Sequence, residues 1–281
     1  MVNAWGNWKA WINSFGAPQK FLVKRPDVIQ VAGTNLLECL AGLPVEIQFL
    51  SFAEIEKSGI PKDVNVLIND GDAETAWSGG RWWGNAKVAA GIRAFIHQGG
   101  GFIGCRGPSA FPSNGRYFQL ADVMGVDKET GRTLQSATIP ATPVASHFIT
   151  ADLTGPADFG THETFVFVSD PATQLLAANG LHVMAAAKPY GRGRSVFFGG
   201  LPFDLTNARL LHRAIFWAAG REGDLKNWFC ANPLTDCAWY PKSRKLVVVN
   251  NSSEPQVTTV FRGDGKTMRV TLKPSVSRWL G

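Results

Sequence analysis

The feature that most limits the fold of this 281-residue chain is a change of hydrophobic period near residue 222. Before it, segments with apolar residues three and four apart alternate with short β-branched runs, the pattern of an α/β unit. Beyond it the helical period stops and short alternating stretches take over: "TDCAWYP", "KLVVVNNS", "QVTTVFRG", "TMRVTLKP" and "SVSRWL". Turn pairs such as Asn250-Asn251 and Asp264-Gly265 join them. The chain is therefore expected to divide into an α/β domain, residues 1–222, and a small antiparallel β-sandwich, residues 223–281.

Within the first part, "DVIQVAGTNLLECLAGL" reads as a helix ended at Gly42, "VEIQFLSF" as a strand and "AEIEKSGI" as a short helix. "VNVLIND" and "GFIGC" read as buried strands, and between them "NAKVAAGIRAFIHQ" sets Val88, Ile92, Phe95 and Ile96 on one helical face. "GRYFQLADVMG" is expected to be helical, "LHVMAAAKPYGRGRSVFFGG" to be a hairpin turning through Gly191–Gly193, and "LTNARLLHRAIFWAAG" to close the domain as a helix. This order suggests a class I glutamine-amidotransferase-like (flavodoxin-like) domain. In open α/β sheets ligands bind outside the carboxyl ends of strands. The loops "DGDAETAWSGGRWWG" (70–84) and "RGPSAFPSNG" (106–115) leave two such ends and are expected to line any site.

Charge and cysteine content narrow the function classes. The net charge is +6, of which +5 falls in residues 223–281, but Lys242, Arg244, Lys245, Arg262, Lys266, Arg269, Lys273 and Arg278 are spread along strands without a dense basic run. That spacing predicts solvated strand faces, not a nucleic-acid site. No apolar run reaches the ~18 residues of a membrane span, and "MVNAWGNWKAWINSF" lacks a basic n-region and a long h-region, so the expected setting is cytoplasmic. Cys39, Cys105, Cys230 and Cys237 form no C-x-x-C pair and have no histidine cluster beside them. Reduced thiols are expected, with no metal and no cofactor. Ten tryptophans are a weak pointer to sugar stacking, because buried Trp is commonly core.

Cys105 ends an apolar strand between glycines in "GGGFIGCRGPSAF", where a nucleophile elbow would sit. A cysteine nucleophile needs a thiolate, and hence a histidine within hydrogen-bond reach. In the suggested fold that histidine follows a late strand, but after "RSVFFGG" the chain reads Leu201, Pro202 and Phe203. His212 lies mid-helix, in step with Ala208 and Ile215, and reads as structural. His97, His147, His162 and His182 show no ligand-type pairing. Ile103 also stands where a glycine would complete the elbow. A buried cysteine at a strand end is the favoured reading, with a cysteine hydrolase as an alternative.

The motifs "GDAETAWSGG", "GGGFIG", "GRYFQLADVMGVDKETG", "SHFIT", "YGRGRSVFFGGLPF", "NARLLHRAIFWAAG" and "VVVNNSSEPQVTTVFRGDGK" occur in the order seen in the galacto-N-biose/lacto-N-biose (1,3-β-galactosyl-N-acetylhexosamine) phosphorylases. The chain resembles the central and C-terminal domains of those inverting enzymes over nearly its whole length. The resemblance implies an amidotransferase-like domain without catalytic machinery and an immunoglobulin-like β-sandwich. It also implies that the general acid and most ligands of phosphate and sugar lie on a (β/α)8 barrel, so no catalytic residue is carried over to this chain. "VNAWGNWKAW" matches where the first strand of the central domain ends, which suggests a truncated or split product. The loop "GCRGPSAFPSN" departs from the family's pattern, as do "SFGAPQKFLVKRPDV" and "LQSATIPATPVASHF".

Asp72, Thr75, Trp77, Ser78, Gly79, Gly80 and Arg106 are the residues expected to line the rim of a sugar site, or else to form a tight loop with Trp77 as core. The implied partners are the barrel or a second subunit, with a homo-oligomer expected, and a galactosyl-N-acetylhexosamine disaccharide. A stand-alone sugar-binding or interaction module is the alternative from another class.

Overall fold

The structure is a computed structural model and describes residues 2–3, 35–40, 43, 45–73, 78–131 and 143–281. Its centre is a five-stranded sheet built from β1 (Val66–Gly71), β2 (Gly101–Arg106), β3 (Gln174–Asn179), β4 (His182–Tyr190) and β5 (Gly193–Phe198). The spatial order is β1-β2-β5-β4-β3. β2 pairs in parallel with β1 on one side, Asp70 opposite Cys105, and with β5 on the other, Phe198 opposite Cys105. β4 pairs antiparallel with both β5 and β3.

Side-chain alternation along these strands divides the core into two layers. Leu67, Phe102 and Phe197 face one layer, with Phe52, Trp83, Val88, Ile92 and Ile96. Ile68, Ile103, Cys105, Val196 and Phe198 face the other, with Leu211, Ala214 and Ala218. The first layer is covered by α1 (Phe52–Ser58) and α2 (Ala86–His97), the second by α4 (Leu205–Ala218); α3 (Ala121–Met124) is a single turn. Each longer element starts where its sequence requires. Ser51 and Glu54 close a capping box at α1. Asn85 Oδ1 accepts from the amides of Lys87 and Val88 at 3.0 and 3.4 Å, and Asp204 caps α4 through the Asn207 amide at 2.7 Å. Such caps contribute about 1 kcal/mol each.

The expected class I glutamine-amidotransferase-like, doubly wound arrangement is overturned by this topology. The described residues form mixed sheets with few helices, and only two of the four pairings in the main sheet are parallel. The cause is local: β4 and β5 are joined by the tight turn at Gly191 and Arg192, and a connection that short can only make an antiparallel pair. The expected helix over "GRYFQLADVMG" is likewise a strand, Arg116–Phe118, followed by α3. Of "VEIQFLSF", only Leu50–Ser51 is strand, paired in parallel with Val2–Asn3. Gly42, the expected end of the first helix, lies outside the described residues.

The immunoglobulin-like reading of the C-terminal part is corrected too. Six short strands form two three-stranded antiparallel sheets, fewer than the seven of that fold. One sheet is β6 (Phe229–Cys230), β9 (Gln256–Phe261) and β10 (Thr267–Leu272). The other is β7 (Thr235–Tyr240), β8 (Lys245–Asn250) and β11 (Ser277–Leu280). Leu246, Val248, Val260, Val270, Leu272 and Cys230 form their shared core, beside Trp228 and Trp239 stacked 4.5 Å apart. No helix of the described residues is long and apolar enough to cross a membrane.

Candidate functional site

The carboxyl ends of β1 and β2 bring Asp70, Gly71 and Asp72 against Cys105, Arg106 and Gly107. Gly107 donates to the Gly71 carbonyl at 3.0 Å, which ties the two loops together. A Cβ on Gly107 would lie 2.6 Å from the Ala73 amide nitrogen and 3.0 Å from Glu163 Oε1, so the close approach depends on glycine there. Arg106 Nη1 donates to Asp72 Oδ1 at 3.2 Å, with the arginine nearly buried and the aspartate half exposed. Arg106 holds a φ of 65°, a conformation uncommon for a residue with a side chain. On the far side of Gly107, Lys128 pairs with Glu163 and its ammonium lies 4.9 Å from the Tyr117 ring centroid. Two ion pairs thus meet at one glycine at the sheet edge, Arg106 as its chain neighbour and Glu163 against its Cα.

The remaining rim candidates are placed differently. Ser78 is fully buried, and its carbonyl accepts from Trp83 Nε1. Gly79 has a φ of 101°, and a Cβ there would meet the Phe52 ring and lie 2.9 Å from Trp83 Nε1. Gly80 opens the 3₁₀ turn Gly80–Gly84, which carries buried Trp83 edge-on to Phe52 at 5.1 Å. These three residues build the loop's anchor, while Asp72 and Arg106 present polar atoms at its edge. Thr75 and Trp77 lie outside the described residues.

Cys105 has no access to solvent. Burial pushes its thiol well above the ordinary range, Asp70 adds to that, and Arg106 offsets only part. That is the environment of an inert structural thiol. The histidines are committed elsewhere: His212 Nε2 donates to the Cys39 carbonyl at 2.7 Å, His162 Nδ1 to the Gly160 carbonyl at 2.7 Å, and His182 Nδ1 accepts from the Phe165 amide at 3.1 Å. Burial lowers the pKa of His147. Among the described residues no three His, Cys, Asp or Glu side chains are grouped to hold a metal.

Sequence reasoning does not single out Asp70, Lys128 or Glu163. Asp70 is buried, and burial pushes its carboxyl up to about 7, with Arg106 pulling against the shift, Asp72 adding to it and the Gly71 amide pulling against it. The one available signal is its place at the end of an apolar strand in "NDGD". Lys128 and Glu163 stand 35 positions apart, and nothing in the sequence announces that they meet.

Residues 1–223 match the profile of the lacto-N-biose phosphorylase central domain, and residues 228–280 match that of the lacto-N-biose phosphorylase C-terminal domain. The chain belongs to the lacto-N-biose phosphorylase family. It is 38% identical over 280 residues to a 1,3-β-galactosyl-N-acetylhexosamine phosphorylase of Lachnoclostridium phytofermentans, covering 99% of this chain and 38% of that protein. It is 33% identical over 311 residues to the 1,3-β-galactosyl-N-acetylhexosamine phosphorylase of Bifidobacterium longum subsp. longum, covering 99% and 41%. This lacto-N-biose phosphorylase family chain thus spans about two fifths of the length of those curated relatives. Among solved structures, a GH42 β-galactosidase from G. stearothermophilus, a catalytic mutant, is 12% identical with a TM-score of 0.46, covering 99% of this chain and 39% of that one.

Proposed function

We propose that this chain is the non-catalytic central and C-terminal portion of an inverting phosphorylase of β-1,3-galactosyl-N-acetylhexosamine disaccharides. Its role is to support a catalytic (β/α)8 barrel or a second subunit in a homo-oligomer, with the 72–80 loop and Arg106 at the rim of the sugar site. The observation that carries this reading is the match of both lacto-N-biose phosphorylase domains along the chain in the order central, then C-terminal. The geometry supports it from the other side. Phosphorolysis with inversion requires a carboxylic acid placed to protonate the leaving oxygen while phosphate attacks the opposite face. Here Asp72 is committed to Arg106, Glu163 to Lys128, and Asp70 is buried. The buried, protonated Cys105 speaks against the hydrolase alternative. Four free cysteines fit a reducing, cytoplasmic setting.

The test is co-expression with the part of the Lachnoclostridium relative that precedes the matched region. The chain alone is expected to leave galacto-N-biose intact in phosphate buffer. The reconstituted complex should release galactose 1-phosphate, and Asp72→Ala should raise KM more than it lowers kcat. Phosphorolysis by the chain alone, or a well-folded complex without activity, would overturn the proposal.

A further inference from the structure

The outer edge of β1 is open. Gly101 donates to the Asn65 carbonyl and Gly107 to the Gly71 carbonyl, so the odd-numbered residues of this stretch bond toward β2. In a parallel ladder alternate residues turn their amide and carbonyl to opposite sides, which directs those of Val66 and Ile68 away from β2. Among the described residues no strand pairs with β1 on that side. An unpaired edge of this kind is a template for another strand.

Along this edge runs a groove of about 360 Å³. Residues 45–48 and Leu50 form one wall, residues 63–68 the other, and Leu40, Ile215, Phe216 and Ala219 line it between them. Among the described residues the first wall has no strand partner before Leu50, and its Val45, Ile47 and Phe49 are exposed. Val2–Asn3 shows what fits the space: it pairs in parallel with Leu50–Ser51 and lies beside β1. A strand that enters Val2 in this register stands opposite residues 45–49, between the two walls. Gln48 Nε2 donates to Asp63 Oδ2 at 3.1 Å from wall to wall, an exposed bond that costs little to displace. The lining sets the chemistry of the occupant. Leu40 and Ile215 belong to the core layer under α4, and Leu67 to the layer under α1 and α2. A strand lying there is covered on both faces, so it is apolar at consecutive positions, as the strands of covered parallel sheets are.

We propose that the groove takes a parallel strand of about five consecutive apolar residues, supplied by the polypeptide that leads into the position of Val2 in the longer phosphorylases. Two observations point to that source. The Val2–Leu50 ladder opens directly into the groove, and this chain spans about two fifths of the curated relatives that match 99% of it. A second copy pairing β1 with β1 about a two-fold axis would run antiparallel, against the parallel ladder of Val2–Asn3. The added strand bonds the part of the enzyme that precedes this chain to the edge of the main sheet, by the main-chain pairing that strand addition uses elsewhere. This inference rests on the reading of the chain as one portion of a longer phosphorylase.

The test compares three proteins by amide hydrogen exchange and urea denaturation. They are the 281-residue chain, the same chain carrying at its amino end the roughly eight residues that precede the matched region in the Lachnoclostridium relative, and that extended chain with two central residues of the extension replaced by proline. In the extended chain, exchange at the Val66 and Ile68 amides should slow by about ten-fold or more and the urea midpoint should rise, while the proline form stays at the parent values. Three results would overturn the proposal: unchanged exchange at both amides in the extended chain, equal slowing in the proline form, or slowing in the parent that grows with protein concentration, which makes a second copy the occupant. None of these readouts is phosphorolysis. Protected amides in an inactive reconstituted complex would sink the catalytic reading and leave the strand standing, whereas unprotected amides in an active complex would do the reverse.

Discussion

Replacing Asp70 by asparagine should change how stability depends on pH, because the carboxyl is ionised in the unfolded chain at neutral pH and strongly disfavoured as an anion in the fold. Burial raises it from an ordinary 3.8 to about 7. The native state therefore holds a proton that the unfolded chain releases above pH 3.8, and the stability linked to that proton is complete below 3.8. It is lost as pH rises through the folded value near 7 and is flat beyond. Integrated over the whole interval the loss is about 4 kcal/mol, of which about 3 kcal/mol falls between pH 5 and pH 8. The amide that replaces the carboxyl cannot titrate, so the stability of Asp70→Asn relative to the parent should rise by about 3 kcal/mol over that range. Urea denaturation of both proteins at pH 5, 6, 7 and 8 measures this directly. Any fixed cost of the substitution, including a weakened contact with Arg106, cancels in the difference, as do groups shared by both proteins such as Asp127 and Asp236. Parallel stability curves for the two proteins would refute the reasoning and place Asp70 in contact with water.

Gly79→Ala forces a side chain onto a φ of 101° and against Phe52 and Trp83, so a loss of about 2–4 kcal/mol is expected in urea denaturation; a change under about 0.5 kcal/mol would contradict the packing described. Cys105 should resist iodoacetamide at pH 8 in the native protein and react once urea unfolds it, read by peptide mass spectrometry; rapid native labelling would show an accessible thiolate.

How much of this is legible in the sequence depends on the distance over which each feature is decided. The helix Ala86–His97 is plain because its cap, Asn85, and its buried stripe, Val88, Ile92 and Ile96, lie within a dozen residues. His212 reads as structural from its helical phase, and its bond to the Cys39 carbonyl agrees. The five strands from Thr235 to Leu280 announce themselves by alternation and turn pairs. "GRYFQLADVMG" misleads because its apolar residues permit a helix, whereas Asp127 Oδ1 accepts from the Tyr117 and Phe118 amides and holds them in an extended segment. The overall class is misread although the hairpin at Gly191–Gly193 is recognisable, since that hairpin already requires an antiparallel pair. In the candidate site, Asp72 and Arg106 are 34 positions apart, and each stands out without any sign that they bond. Ser78 and Gly79 stand out for their chemistry but are held there by Trp83 and Phe52.

The position of β2 has a consequence for how the chain assembles. β3, β4 and β5 follow one another in sequence and pair as a meander, while the connection from β1 to β2 carries the 3₁₀ turn Gly80–Gly84 and α2. The β2–β5 ladder joins these two halves by matching Gly101 to Arg194, residues roughly ninety positions apart. Loop-closure entropy must be met before such a contact yields any return, so the two halves should gain structure early and the ladder between them should close late. Until it closes, both β2 and β5 offer an unpaired edge to other copies of the chain, which makes refolding yield, more than final stability, the property most sensitive to protein concentration.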